Sequence, residues 1–193
     1  MDSYRRDRYI DLQMELTKAQ EGIFSAILPD DGTFPNSRLP LLVYPGALVE
    51  KSGDFAPRFE RLFTGNSWGG TWRNGIYSVH HYHSTAHEVL GICGGSGLVQ
   101  LGGESGVTAR VRPGDCVVIP AGVAHKLLER TAGFLVVGAY PAGQSCDICY
   151  GGPGERPFAD RRIATVPLPA LDPVKGKDGP LLELWGVGSG GGN

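Results

Sequence analysis

Four of the five histidines in this 193-residue chain lie between His80 and His87, at His80, His81, His83 and His87, and Glu88 follows directly. The fifth is His125. Imidazole is the commonest metal-ligating side chain, and a carboxylate often completes the set. His81 and His83 are two residues apart, so on an extended strand both point to the same side. Glu88 opens the next apolar run, and His125 follows the turn Pro120-Ala121-Gly122. If the segments 77–83, 88–93 and 125–129 line one interior, three imidazoles and one carboxylate converge there. Three neutral histidines and a glutamate suit a divalent first-row metal and leave coordination positions for water, substrate or dioxygen.

Short strands have to position these groups. From Gly75 to Tyr140 the pattern is of brief apolar runs between turns: Tyr77–Tyr82, Val89–Cys93, Gly97–Leu101, Thr108–Val111, Cys116–Ile119, His125–Glu129 and Phe134–Ala139. Thirty glycines and 14 prolines recur between them, and regular strand spacing with few helices argues a β-sandwich or barrel. Arg112-Pro113-Gly114-Asp115 has the composition of a type II turn. Upstream, Ile23–Leu28 and Leu41–Val49 are strand candidates. Asp54 to Thr64 reads as a helix capped by Asp54, with Phe55, Phe59, Leu62 and Phe63 on one face and Gly65-Asn66 as its stop. A short helix is expected near Leu12 to Ala19. Beyond Tyr140 the chain is rich in Pro and Gly, an arm expected to wrap the barrel, with Leu181 to Trp185 docking on it and a mobile tail from Gly188.

Composition narrows the function class. Hydrophobic residues make 41% and charged residues 20%, with a net charge of -2, so no broad basic field draws nucleic acid or an acidic membrane. Met1 to Arg8 carries no apolar segment of the signal-peptide kind, and no apolar run approaches the ~20 residues of a membrane helix. A cytoplasmic protein is expected, with Cys93, Cys116, Cys146 and Cys149 reduced. Cys146-x-x-Cys149 leaves a redox pair or half of a zinc site open, but no second such motif accompanies it.

Two motifs resemble a known family. Gly75-(x5)-His81-x-His83-(x4)-Glu88-(x6)-Gly95 is similar at every position to the first cupin motif, and Gly114-(x5)-Pro120-x-Gly122-(x2)-His125 to the second. The second departs at Glu129, where the cupin pattern carries Asn. Phe34–Tyr44, Trp68–Trp72, Tyr82–Gly91, Gly138–Gly143, Leu171–Val174 and Gly179–Leu182 resemble the YjlB-type cupins within the RmlC-like superfamily. The resemblance runs from about residue 23 to 186. It implies an all-β jelly-roll barrel (a double-stranded β-helix) with N- and C-terminal extensions and few short helices. The implied layout is a polar segment 1–22, one cupin domain 23–186 with motif core 75–140 and C-terminal arm 141–186, and a Gly-rich tail 187–193. It also implies His81, His83, Glu88 and His125 as ligands of one divalent transition metal: Fe, Mn, Ni or Zn.

The functional expectation is a mononuclear metal-dependent enzyme of oxygenase type acting on a small enol, diol or carboxylate. An isomerase, epimerase or decarboxylase is the alternative, and a small-molecule sensor without turnover stands in a different class. Acid–base work would fall to His87, Tyr77 or Glu129. Tyr77 shares the parity of His81 and His83, whereas Tyr82 points away. Trp72 and Arg73 are candidate rim residues. His80 faces opposite to His81 and reads as packing or surface. Cys93 reads as a small residue of the barrel interior or wall. A homodimer is expected, paired through a strand such as Leu41–Val49.

Overall fold

The computed structural model describes residues 17–18, 22–49 and 54–187. Among the described residues, ten strands make two antiparallel sheets. They are β1 (Thr17–Lys18), β2 (Phe24–Leu28), β3 (Ser37–Tyr44), β4 (Trp68–Asn74), β5 (Glu88–Gly94), β6 (Gly97–Leu101), β7 (Val107–Val111), β8 (Cys116–Ile119), β9 (His125–Arg130) and β10 (Leu135–Pro141). The larger sheet runs β1-β2-β3-β8-β5-β10-β4 and the smaller β7-β6-β9. Three short helices complete the described fold: α1 (Phe55–Gly65), α2 (Phe158–Ile163) and α3 (Pro180–Leu184). The expected all-β architecture is therefore the one observed.

Alternation along the strands sorts side chains into two cores. Leu41 and Val43 of β3, Leu90 and Ile92 of β5, and Val117 and Ile119 of β8 point between the sheets, where they meet Val99, Leu101, Ala109 and Leu127. The intervening Leu42, Val89, Cys116 and Val118 point the other way and are covered by Phe59 and Phe63 of α1 and by Leu181 and Trp185. Helix α1 starts where Asp54 accepts a hydrogen bond from the Ala56 amide at 2.9 Å. Its phenyl group at Phe59 lies flat on Gly91, where an added Cβ would sit 2.5 Å from the ring. Gly91→Ala is accordingly expected to cost about 1–3 kcal/mol of overpacking. That lowers the melting temperature by roughly 2–4 °C per kcal/mol for a chain of this size. A thermal melt with no shift would contradict this packing.

Several sequence expectations need correction. Tyr77–Tyr82 is not a continuous strand: it is an extended segment held by isolated bridges, His81 to His125 and Tyr82 to Cys149. The real neighbour of β10 on that side is β4, whose Gly69-Gly70 and Asn74 hide a strand in the sequence. Strand β3 ends at Tyr44, before Pro45-Gly46, and is paired on both sides, with β2 and β8. The β8 pairing covers only Leu42–Tyr44. Helix α1 does end at Gly65-Asn66, as expected, with Asn66 as its C-cap and a left-handed Ser67 (φ 62°) following. Of the helix expected near Leu12–Ala19, only Thr17–Lys18 lie within the described residues, and they pair with β2 as strand. The tail from Gly188 lies outside the described residues. Helix α2 was not legible at all. The turn at Arg112–Asp115 forms as expected, with Gly114 at φ 93° and the Asp115 amide donating to the Arg112 carbonyl at 3.0 Å.

Candidate metal centre

The histidine-bearing segment 77–83 runs antiparallel to β9. His81 and His125 exchange backbone hydrogen bonds, the His125 amide donating at 2.9 Å and the His81 amide at 3.2 Å, and the Leu127 amide reaches the Tyr77 carbonyl at 2.8 Å. This ladder sets the side-chain register. The rings of His81 and His125 stand 4.0 Å apart, and those of His83 lie 5.6 and 5.7 Å from them. One ring nitrogen from each of His81, His83 and His125 lies within 4.8 Å of the others, and all three residues are buried.

Each ring is turned by a backbone carbonyl at its Nδ1: Val79 for His81 at 3.4 Å, Val123 for His125 at 3.2 Å, and Asp147 for His83 in a very short contact. A carbonyl only accepts, so Nδ1 carries the proton and Nε2 keeps its lone pair for the interior. Glu88 begins β5 with the inward parity of Leu90 and Ile92. Its Oε2 lies 3.4 Å from His83 Nε2 and 3.3 Å from His125 Nε2. That oxygen is buried yet satisfies no hydrogen bond among the described residues. Once His83 is unprotonated, lone pairs face lone pairs in a dry site, which a cation would reconcile, so this donor set fits a metal ion.

Electrostatics follow from burial and proximity. Burial, with the neighbouring His125 and His83, lowers His81 to about 3, so it is a neutral donor at any ordinary pH. Burial opposes charge on His83 as well, but the adjoining Glu88 outweighs it and pushes His83 up. Burial would raise Glu88, and His125 and His83 overcome it and hold it well down. A metal must therefore displace the His83 proton. Apparent metal affinity is expected to rise about tenfold per pH unit below the raised His83 value and to level off above it. Competition with a chromophoric chelator across neutral pH measures this, and a flat profile would argue against displacement.

A cavity of about 260 Å³ opens over these groups, lined by His81, His83, Glu88, His125, Tyr77, Tyr140, Trp72, Arg73, Ile76, Leu90, Cys146 and Ile148 among others. Tyr77 is 47% exposed at the mouth, with its ring 4.8 Å from that of His81. Arg73 is held by Glu60 through two hydrogen bonds of 2.7 and 2.8 Å. Tyr140, unremarked in the sequence, lines the cavity with its ring edge-on to His83 at 6.0 Å. Its hydroxyl accepts from Trp72 Nε1 at 2.9 Å. Burial and the Glu88 charge raise its pKa, so it stays protonated.

Two expected pocket residues are elsewhere. His87 has the outward parity of Val89. Its ring packs on Trp185 at 4.7 Å, and its Nδ1 accepts from the Ala121 amide at 3.0 Å. Burial lowers it to about 4. Glu129 would share the inward side of His125 and Leu127, but the register shifts between Leu98 and Val99 of the partner strand. Glu129 therefore opposes Leu98, faces solvent and sits 3.9 Å from Arg110. The bulge flips it. His80 packs on Phe34 at 5.2 Å with Glu104 at 3.4 Å. Cys146 and Cys149 part company: Cys146 lines the cavity, whereas Cys149 is buried near Tyr82.

The segment carrying Cys146 is pinned by groups that sequence patterns did not mark. The Asp147 carboxylate accepts from the Ser84 amide at 2.6 Å and from the Ser84 hydroxyl. Arg162 of α2 donates from Nε to Ser84 Oγ at 2.6 Å and lies 3.4 Å from the Asp147 carboxylate. The Asp147 amide also reaches Thr85 Oγ1 at 3.0 Å.

Comparison with known proteins places this arrangement. A family profile for the cupin domain matches residues 72–137. Protein YjlB of Bacillus subtilis (strain 168) is 45% identical over 158 residues, covering 81% of this chain and 93% of its own. The chain belongs to the YjlB-type cupins. Solved structures similar to this cupin include acireductone dioxygenase from Bacillus anthracis with a cadmium ion in its active centre, at 13% identity and a TM-score of 0.38, covering 67% of this chain and 84% of that one. An 11S globulin from Wrightia tinctoria aligns at 16% identity with a TM-score of 0.37, over 64% of this chain and 30% of the globulin. The 11S allergen from Cocos nucifera aligns over 48% of this cupin and 30% of that chain, at 24% identity and a TM-score of 0.34. This cupin thus spans under a third of the length of either 11S protein. No helix among its described residues is long and apolar enough to cross a membrane.

Proposed function

We propose that this cupin binds one divalent transition metal through His81, His83, Glu88 and His125 and acts on a small enol, diol or carboxylate as an oxygenase. The observation that carries the reading is the buried Glu88 Oε2, without a hydrogen bond and set against two imidazole nitrogens. A divalent ion there would polarise a bound oxygen and, as iron or manganese, supply redox chemistry toward dioxygen. The chain's own groups have other tasks. The three backbone carbonyls orient the imidazoles, and Tyr77, Ile148 and the other apolar side chains line the space beside them. The isomerase or decarboxylase reading keeps only Tyr77 from its original proton carriers, joined now by Tyr140. A cytoplasmic homodimer remains part of the proposal.

Elemental analysis of untagged protein, wild type beside His83→Ala, followed by oxygen uptake with enolic and diol compounds, tests the reading. One metal per chain, lost in His83→Ala, together with oxygen consumption, is the expected result. Metal without oxygen uptake shifts the assignment to isomerase, decarboxylase or sensor. Failure to bind metal after reconstitution with Fe(II) or Mn(II) overturns it.

A further inference from the structure

The cavity also specifies what it would hold, and this step rests on the metal reading above. Its 260 Å³ lies just below the range of about 300–1,000 Å³ of ordinary ligand pockets, so the ligand is small. Trp72, Tyr77, Ile76, Leu90 and Ile148 give it apolar and aromatic walls, which suit a flat body. Among the described lining residues the one cationic side chain is Arg73, and Glu60 already occupies its guanidinium from outside. A phosphate would find no free fork or ammonium there. A divalent ion beside one carboxylate carries one net positive charge, which balances a single negative charge and leaves a second uncompensated in a low-dielectric site.

One polar group inside the wall is positioned to read such a ligand. The edge of Trp72 lies so close over Gly138 that a Cβ there would be 2.1 Å from the indole. That close fit holds Nε1 where it donates to the Tyr140 hydroxyl oxygen. A hydroxyl has one proton of its own, and with its oxygen occupied by Trp72 that proton is directed elsewhere. The thiol of Cys146 is its other side-chain hydrogen-bond neighbour, a weak partner that a charged oxygen would displace.

We infer that the site selects a small, planar, singly charged chelating anion of the catecholate or enolate class, and that Tyr140, oriented by Trp72, donates the hydrogen bond that recognises its oxygen. The test uses full-length protein loaded with Co(II), whose uptake is measured first by calorimetry in wild type, Tyr140→Phe and Trp72→Phe. Nitrocatechol is then titrated and followed by its visible absorbance. Saturable binding to the cobalt-loaded wild type is expected. Tyr140→Phe should weaken it about tenfold or more, as one hydrogen bond to a charged acceptor implies, with cobalt uptake unchanged. Trp72→Phe should weaken it less. Ribose phosphate and inorganic phosphate should not displace the dye. Unchanged affinity in Tyr140→Phe, no dye binding to loaded wild type, or displacement by phosphates would each overturn the inference. Failure of the wild type to take up cobalt would bring down the metal reading itself, and this inference with it.

Discussion

Glu88→Gln is expected to lose the metal while leaving the metal-free protein at least as stable as wild type at alkaline pH. The substitution keeps the shape of the side chain and removes its charge. Loss of a partner behind a ligand already costs metal affinity 10–100-fold, so removing the one anionic donor should cost about 100-fold or more. Stability should move the other way. With His83 unprotonated, the Glu88 carboxylate faces the lone pairs of His83 and His125 with its Oε2 unsatisfied. Relieving a buried unsatisfied group is worth about 1–3 kcal/mol, and the glutamine amide can donate where the carboxylate cannot. The sign reverses on acidification. His83 has a raised pKa, so its ion pair with Glu88 contributes stability below the ordinary histidine value and loses it as pH rises through the raised one. Metal binding by equilibrium dialysis and melts of the metal-free protein at two pH values check both halves. A variant that melts well below wild type at alkaline pH would mark Glu88 as a structural partner rather than a donor waiting for a cation.

The second large effect comes from the clamp on His83. The Val79 and Val123 carbonyls that orient His81 and His125 lie two residues before their histidines, whereas the one that orients His83 belongs to Asp147. That carbonyl is held in place by Ser84 and by Arg162 from α2. Asp147→Ala and Arg162→Met should each lower metal affinity about 10–100-fold, because His83 is freed to change tautomer. Arg162→Lys should recover only part, since an ammonium cannot span Ser84 and Asp147 as the guanidinium does. Dissociation constants for Co(II), with circular dichroism to confirm folding, separate these outcomes. Wild-type affinity in both variants would show that the local ladder to His125 suffices to hold the ring.

The parts of this architecture legible in the sequence are those with a period. His81 and His83 share a face because a strand repeats every two residues, and β6 (Gly97–Leu101) and β8 (Cys116–Ile119) were delimited by the turns around them. Parity failed at Glu129, because a one-residue register shift across β6 and β9 is invisible in one strand's sequence. His87 was misread because a neighbour of a donor in sequence lies on the opposite face in space. Tyr140 hid at the end of an apolar run that reads as core. Asp147 and Arg162 lie in a stretch of Pro, Gly and polar residues where no repeat relates them to Ser84, 63 and 78 positions earlier. Such contacts are made by the tertiary fold alone.

That distance has a consequence for the order in which the protein is made. The chain leaves the ribosome from its N-terminus, and by Pro141 it has supplied every strand of both sheets together with His81, His83, Glu88 and His125. It has not yet supplied the carbonyl of Asp147 or the guanidinium of Arg162. A nascent chain at that length has its donors but no brace for His83, so the proposed metal capture would reach full strength only once α2 has been synthesised and docked. On the proposed metal reading, loading is thereby tied to synthesis of α2, and a product truncated before Arg162 would compete poorly for a scarce ion.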